Sequence, residues 1–137
     1  MDTFHRFVLA VSGVQVMWVG LCYLFVPNWF YGTFFDMTVT SVEEYNVLRA
    51  SAGGVFLAFA SFFFLGAFKR SFRRFGTQAL LTYMAGLLSG RFLSMVVDGL
   101  PNESLMAVTL IECIDLVCIL IVINPKCWKN LNSPDHY

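Results

Sequence analysis

Four apolar segments, each long enough to cross a bilayer as a helix, constrain the fold of this chain more than any other feature. A helix that crosses the hydrocarbon core needs roughly 20 mostly apolar residues. The segments lie at 7–26, 50–68, 75–97 and 105–123. The first two contain no charged residue, the third contains only Arg91, and the fourth contains Glu112 and Asp115. The pattern predicts a membrane protein with four spanning helices.

Composition supports this prediction. The chain of 137 residues is 58% hydrophobic and 13% charged, whereas soluble domains carry about 25% charged residues. Connections between the segments are short, which favours antiparallel neighbours in one bundle. We therefore expect a single all-α domain over 1–137, a four-transmembrane-helix antiparallel bundle. Its predicted parts are helices at about 5–26, 43–68, 75–97 and 104–123, followed by a cytoplasmic tail over 124–137.

The positions of the basic residues predict how the chain is threaded. Lys and Arg concentrate on the cytoplasmic side of multi-pass proteins. Outside the helices they occur near the N-terminus, between the second and third helices, and in the tail: Arg6, Lys69, Arg70, Arg73, Arg74, Lys126 and Lys129. The other two connections carry acids without Lys or Arg. Both termini are therefore expected to be cytoplasmic.

Charged residues inside the predicted helices are the candidate functional residues. Such residues are costly in a bilayer and usually face a partner or a wet cavity. At 1.5 Å per residue, Arg49, Arg91 and Glu112 reach similar depths, roughly 9–13 Å from the same ends of their helices, and Asp115 lies deeper. They predict an outward-facing polar pocket lined by Glu44, Arg49, Arg91, Asp98, Glu112 and Asp115. The alternative is that buried ion pairs between these arginines and acids only fix the helix register.

Two further patterns concern packing. Small residues recur every four positions in the second helix, at Ala50, Gly54 and Ala58, and in the third, at Gly86 and Gly90. Such spacing permits close helix contact in lipid, so these residues are predicted to join the two helices. The connection over 27–41 is rich in aromatic residues. It fits either an interfacial aromatic belt or a short helix covering the mouth of the bundle.

Other functional motifs are missing from the sequence. The four cysteines lack metal-ligand spacing, and the two histidines, His5 and His136, lie near the chain ends. No phosphate-binding loop or nucleophile motif occurs, and a formal net charge of zero offers nothing to nucleic acid. We therefore predict no catalytic residue, no metal, no cofactor and no nucleic-acid partner.

The helix sequences also resemble a known family. The stretches EYNVLRASAGG, at 44–54, and GRFLSMVVDGLP, at 90–101, together with an acid midway along the fourth helix, resemble small four-helix bacterial membrane proteins classed as a domain of unknown function. More distantly, the chain is similar to DoxX-like proteins. The resemblance implies a compact four-helix bundle in a bacterial inner membrane. It places Arg49, Arg91, Asp98 and Glu112 at recurring positions, together with Gly53 and Gly54.

These observations predict a non-enzymatic membrane protein that binds a lipophilic small molecule or serves as an accessory subunit of a membrane complex. Its expected partners are membrane lipid, such a ligand, and a complex partner or a second copy of the chain. One alternative is a proton-coupled carrier of small solutes, which four helices would support only as a dimer. Another is a membrane enzyme with Glu112 and Asp115 as acid and base.

Overall fold

The computed structural model describes residues 2–123, and all regular structure in that range is helical. The elements are α1 (Asp2–Phe25), α2 (Pro27–Phe35), α3 (Val42–Val47), a π-helical segment (Leu48–Gly54), α4 (Val55–Phe68), a 3₁₀ turn (Arg70–Phe72), α5 (Arg73–Val97) and α6 (Glu103–Ile123). The tail predicted over 124–137 lies outside the described residues.

Four of these helical stretches are long and apolar enough to cross a membrane. They are Thr3–Phe25, Val42–Phe68, Arg70–Val97 and Glu103–Ile123. The second stretch joins α3, the π-helical segment and α4 into one span. The prediction of an all-α protein with four helices of transmembrane length is confirmed for the part of the chain that the structure describes.

The core lies where α1, α4, α5 and α6 meet. Leu9, Phe63, Leu80 and Ile119, one from each helix, are fully buried there. The helix α1 makes its most extensive contact with α4, which in turn packs against the first half of α5. We call this region the closed half of the molecule. Two features stabilise the closed half: the burial of large apolar side chains from four helices, and the close approach of helix backbones.

Glycine permits that close approach at one point in particular. Gly66 of α4 faces Gly76 of α5, and a Cβ built on Gly76 would lie 2.9 Å from the carbonyl oxygen of Phe62 and 3.0 Å from the Cα of Gly66. These are backbone atoms that cannot rotate away. A second close contact joins α1 to the π-helical segment, where a Cβ on Gly53 would lie 2.7 Å from the Cγ of Leu24.

The small-residue contacts differ from those predicted. Ala50, Gly54 and Ala58 are exposed, and Gly86 and Gly90 have no neighbour within 4 Å of a Cβ position. The physical reason is that α5 contacts α4 through its first half, which includes Gly76, while its second half lies away from α4. The recurrent spacing marked residues that could pack closely but did not show which face meets a neighbour.

The aromatic connection forms a helix, α2. Pro27 begins it, with the fixed φ that suits a first turn, and Asp36 ends it in a left-handed conformation with φ 54°. Phe30 is buried against Tyr23 of α1, with ring centroids 5.1 Å apart. Asn102, just before α6, donates a hydrogen bond to the carbonyl oxygen of Phe34 at 3.2 Å. The helix α2 therefore connects α1 to the start of α6.

Candidate ligand-binding cavity

A cavity of about 820 Å³ lies between α1, α2, α5 and α6. Its wall is largely apolar and includes eight aromatic side chains: Trp18, Tyr23, Phe30, Tyr31, Phe34, Phe35, Phe56 and Tyr83. Binding sites for small molecules are typically cavities of about 300–1,000 Å³ with mostly apolar walls and a few polar groups. The cavity has the size and the wall of such a site, and we call it the α5–α6 cavity.

The second half of α5 leaves this space open. Gly86 and Gly90 line the cavity, and both face open space. Ser94, one turn further on, lines it too and is exposed. Because these residues have little or no side chain, the α5 wall stays thin here, whereas bulkier residues at the same positions would occupy the space.

Arg91 and Glu112 form an ion pair across the cavity wall. The Nε of Arg91 lies 2.5 Å from one carboxylate oxygen of Glu112, and its Nη2 donates to the other oxygen at 2.8 Å. The side chains are 23% and 12% exposed. This two-pronged contact is the geometry in which guanidinium and carboxylate bind most strongly. Of the ion pairs expected among the six predicted pocket residues, the structure shows this one, and both of its side chains are partly exposed.

Asp115 lies one helical turn beyond Glu112 and also lines the cavity. It is half-buried and forms no hydrogen bond or ion pair with another described residue. Thr109, one turn before Glu112, lines the cavity as well, but its hydroxyl donates to the carbonyl oxygen of Leu105 at 2.8 Å. Asp115 therefore brings a carboxylate to the cavity without a protein counter-charge bound to it.

Two polar side chains of α1 carry buried atoms without a hydrogen-bond partner in the described structure. These atoms are the Oγ of Ser12 and the Oε1 of Gln15. Gln15 lines the cavity. A buried polar oxygen without a donor is destabilising by about 1–3 kcal/mol, so these two side chains weaken the packing of α1 in the described structure.

The structure brings together three of the six predicted pocket residues: Arg91, Glu112 and Asp115. Glu44 instead closes the capping box of α3, accepting from the backbone N–H groups of Thr40 and Ser41 at 2.7 and 3.1 Å. Asp98 accepts from the hydroxyl of Ser94 at 2.9 Å at the exposed end of α5. Each carboxylate is used at a helix terminus, which the depth argument could not distinguish from a pocket position.

Arg49 also lies away from the cavity. Its Nε donates to the carbonyl oxygen of Leu24 at 3.0 Å, and its guanidinium lies over the ring of Tyr45, 5.4 Å from the centroid. Arg49 belongs to the π-helical segment, whose wider turn changes the direction of its side chains relative to an α-helix. A depth estimate that assumes a regular helix gives the height of Arg49 but not the face on which it lies.

Most of the aromatic wall was not predicted from the sequence. Much of this wall consists of Tyr23, Tyr31 and Tyr83, together with phenylalanines of α2. The signal for α2 was present as the aromatic run over 27–41, and the covering helix was one of its two interpretations. No sequence pattern marks Tyr83, because aromatic residues are common in apolar helices.

The polar groups that line the cavity define the chemistry it can offer. Among residues 2–123, no group of three His, Cys, Asp or Glu side chains is placed to hold a metal ion. The lining offers an apolar surface with aromatic rings, the Arg91–Glu112 ion pair and the further carboxylate of Asp115. Hydroxyl-bearing and amide side chains complete its polar residues: Tyr23, Tyr31, Tyr83, Ser94, Thr109 and Gln15.

The fold and cavity define a class: an all-α protein with four apolar helices of membrane-spanning length and a cavity between them. The sequence matches the profile of one family over residues 4–123, and the chain belongs to that family, described as "Domain of unknown function (DUF4345)". No curated protein and no solved structure matches the chain. The more distant similarity to DoxX-like proteins and a bacterial source receive no support from these comparisons.

Proposed function

We propose that this protein is an integral membrane protein that binds a lipophilic small molecule in the α5–α6 cavity. The observation that carries the proposal is the cavity itself, with its aromatic wall and three charged side chains. Apolar walls hold the bulk of a ligand, while a few polar groups fix its orientation.

Binding accounts for the carboxylates better than catalysis does. An acid–base pair needs two groups whose environments leave each free to exchange a proton at the right moment. Glu112 accepts two hydrogen bonds from Arg91, and these occupy both of its carboxylate oxygens. A proton-coupled carrier is the alternative, because Asp115 lines the cavity without such a partner. An accessory subunit would rest on the DoxX-like resemblance alone.

The proposal includes a topology. The basic residues between α4 and α5 and near the start of α1 support a cytoplasmic position for that side, and hence for both termini. The helices would then form an antiparallel bundle, with α2 and the start of α6 on the opposite side. A bacterial inner membrane is the proposed location, by the family resemblance.

The cavity can be filled without disturbing the closed half. Gly90→Leu adds a side chain where nothing lies within 4 Å of the Cβ position, so the protein should fold and lose ligand. The matched control is Ala85→Leu, which adds an isobutyl group at an exposed position of α5 outside the cavity.

Native mass spectrometry on protein extracted with mild detergent measures the outcome. We expect a retained lipophilic molecule on the wild-type and Ala85→Leu proteins, and none on Gly90→Leu. Equal retention by Gly90→Leu, with the same melting temperature, would place the ligand elsewhere and overturn the proposal.

Thiol labelling tests the topology. In a cysteine-free variant, single cysteines at Thr33 and Asn102 should react with a membrane-impermeant reagent in intact cells, and one at Ser71 should not. Labelling confined to position 71 would reverse the proposed orientation.

A further inference from the structure

The charges that line the α5–α6 cavity do not balance. Arg91, Glu112 and Asp115 are its charged lining residues in the described part of the chain, and their formal charges sum to minus one. Arg91 binds Glu112 through two nitrogens, so this pair is already neutral. Asp115 supplies the excess charge in its ionised form, and that form is costly in a low-dielectric region unless a cation binds beside it.

We propose that the ligand is a lipophilic cation: an amphiphile with a protonated amine that binds Asp115 and a hydrocarbon body that lies along the aromatic wall. This inference rests on the proposed function and names the chemical class of its ligand. A cation brings the formal charge of the occupied cavity to zero. A neutral ligand leaves it at minus one, and a carboxylate or phosphate would lower it to at least minus two.

The aromatic wall favours the same ligand. The faces of Trp, Tyr and Phe rings attract cations electrostatically, and sites that recognise ammonium groups commonly enclose them in such rings. In this cavity Trp18 and Tyr23 of α1 and Tyr83 of α5 are lining residues, so two helices contribute rings to the wall. The wall therefore suits the hydrocarbon body of the ligand and offers rings that a cation can approach.

Gln15 also lines the cavity, and its Oε1 is a buried acceptor without a donor in the described structure. Because that atom has almost no exposed surface, a ligand would reach it only if the side chain turned toward the cavity. Charge and aromatic surface therefore carry the choice of ligand class.

Three probes with the same ten-carbon chain test the inference: decylamine, which is protonated at pH 7, decanol, which is neutral, and decanoate, which is an anion. Calorimetric titration of the protein in phosphatidylcholine nanodiscs, with empty nanodiscs subtracted, measures their affinities. We expect decylamine to bind at least about tenfold more tightly than decanol, as hydrogen bonds to charged groups imply, and decanoate to bind most weakly.

Three variants test whether Asp115 causes the preference for decylamine over decanol. Asp115→Asn should reduce decylamine to the affinity of decanol, while Asp115→Glu should retain the preference. Asp98→Asn is the matched control, because Asp98 is an acid at the end of α5 outside the cavity.

Decanol or decanoate binding the wild-type protein as tightly as decylamine would overturn the inference, whether or not the variants fold. Unchanged decylamine preference in a folded Asp115→Asn protein would also overturn it. If decanol binds the wild-type protein but not Gly90→Leu, and the amine binds no better, the ligand site stands and its cationic class is wrong. If no probe binds above the empty nanodiscs, both proposals fail.

Discussion

The two halves of α5 behave differently, although both are apolar and both contain small residues. In the first half, Gly76, Thr77, Leu80 and Met84 are buried against neighbouring helices. In the second half, Gly86 and Gly90 face open space, and nearly every residue after Leu88 is at least partly exposed. The first half belongs to the closed half of the molecule, and the second lines the α5–α6 cavity.

The difference between the two halves of α5 shows that a small residue can have two opposite effects on helix packing. At Gly76 the missing side chain lets two backbones touch, which stabilises packing through many close contacts. At Gly86 and Gly90 the missing side chain keeps a space open between helices. Because Gly86, Gly90 and Ser94 are exposed, this region opens to the outside of the bundle, and a ligand could enter it from there.

The largest expected effect on stability comes from introducing leucine into the first half of α5, compared with the same change in its second half. Gly76→Leu would drive a bulky group into the backbone of α4, at a cost of more than about 4 kcal/mol, and we expect little folded protein. Gly86→Leu should change stability by less than about 1 kcal/mol, since leucine is also the better helix former. Melting temperatures in detergent measure both. Similar losses at the two positions would remove the distinction between the halves.

The next effect concerns the ion pair of Arg91 and Glu112, which lines the α5–α6 cavity. Arg91→Leu leaves the Glu112 carboxylate without its partner, which costs about 2–3 kcal/mol for a partly exposed group. Arg91→Leu with Glu112→Leu should recover most of that loss, because a buried pair adds little over apolar residues. A double-mutant cycle on melting temperature checks this. An Arg91→Leu protein as stable as the wild type would mean that water, not protein, surrounds the pair.

A smaller effect is expected from the buried hydrogen bond of the closed half. His5 of α1 lies 2.5 Å from the hydroxyl oxygen of Thr77 on α5, and that hydroxyl donates to the carbonyl oxygen of Arg73 at 2.7 Å. Thr77→Val should cost about 1–2 kcal/mol by removing the hydroxyl group that contacts the buried imidazole of His5. Ser89→Ala, at an exposed site of α5, is the control. A loss no greater than that of the control would show that this bond does not contribute to joining α1 and α5.

Sequence reasoning predicted the spans and part of the cavity for clear reasons. Apolar segment length fixes how many helices can cross a bilayer, and distance along a helix gives depth, which brought Arg91 and Glu112 to comparable heights. These two side chains are in contact in the structure. Both predictions depend only on properties of single helices.

What could not be predicted depends on the relation between helices. The face that α5 presents to α4 is set at Gly76, which belongs to no repeated small-residue pattern. The π-helical segment changed the direction of Arg49, and nothing in LRASAGG distinguishes it from an α-helix. His5 was dismissed as a chain-end residue, whereas α1 begins at Asp2 and buries it against α5.

The most direct test of the proposed binding site in the α5–α6 cavity is a density map of the protein in lipid nanodiscs. If the cavity is a binding site, the map will show non-protein density beside Asp115 and the aromatic wall, with Gly86 and Gly90 still free of protein neighbours. A map in which α5 and α6 close together, so that side chains pack onto Gly86 and Gly90 and no space remains, would contradict the account.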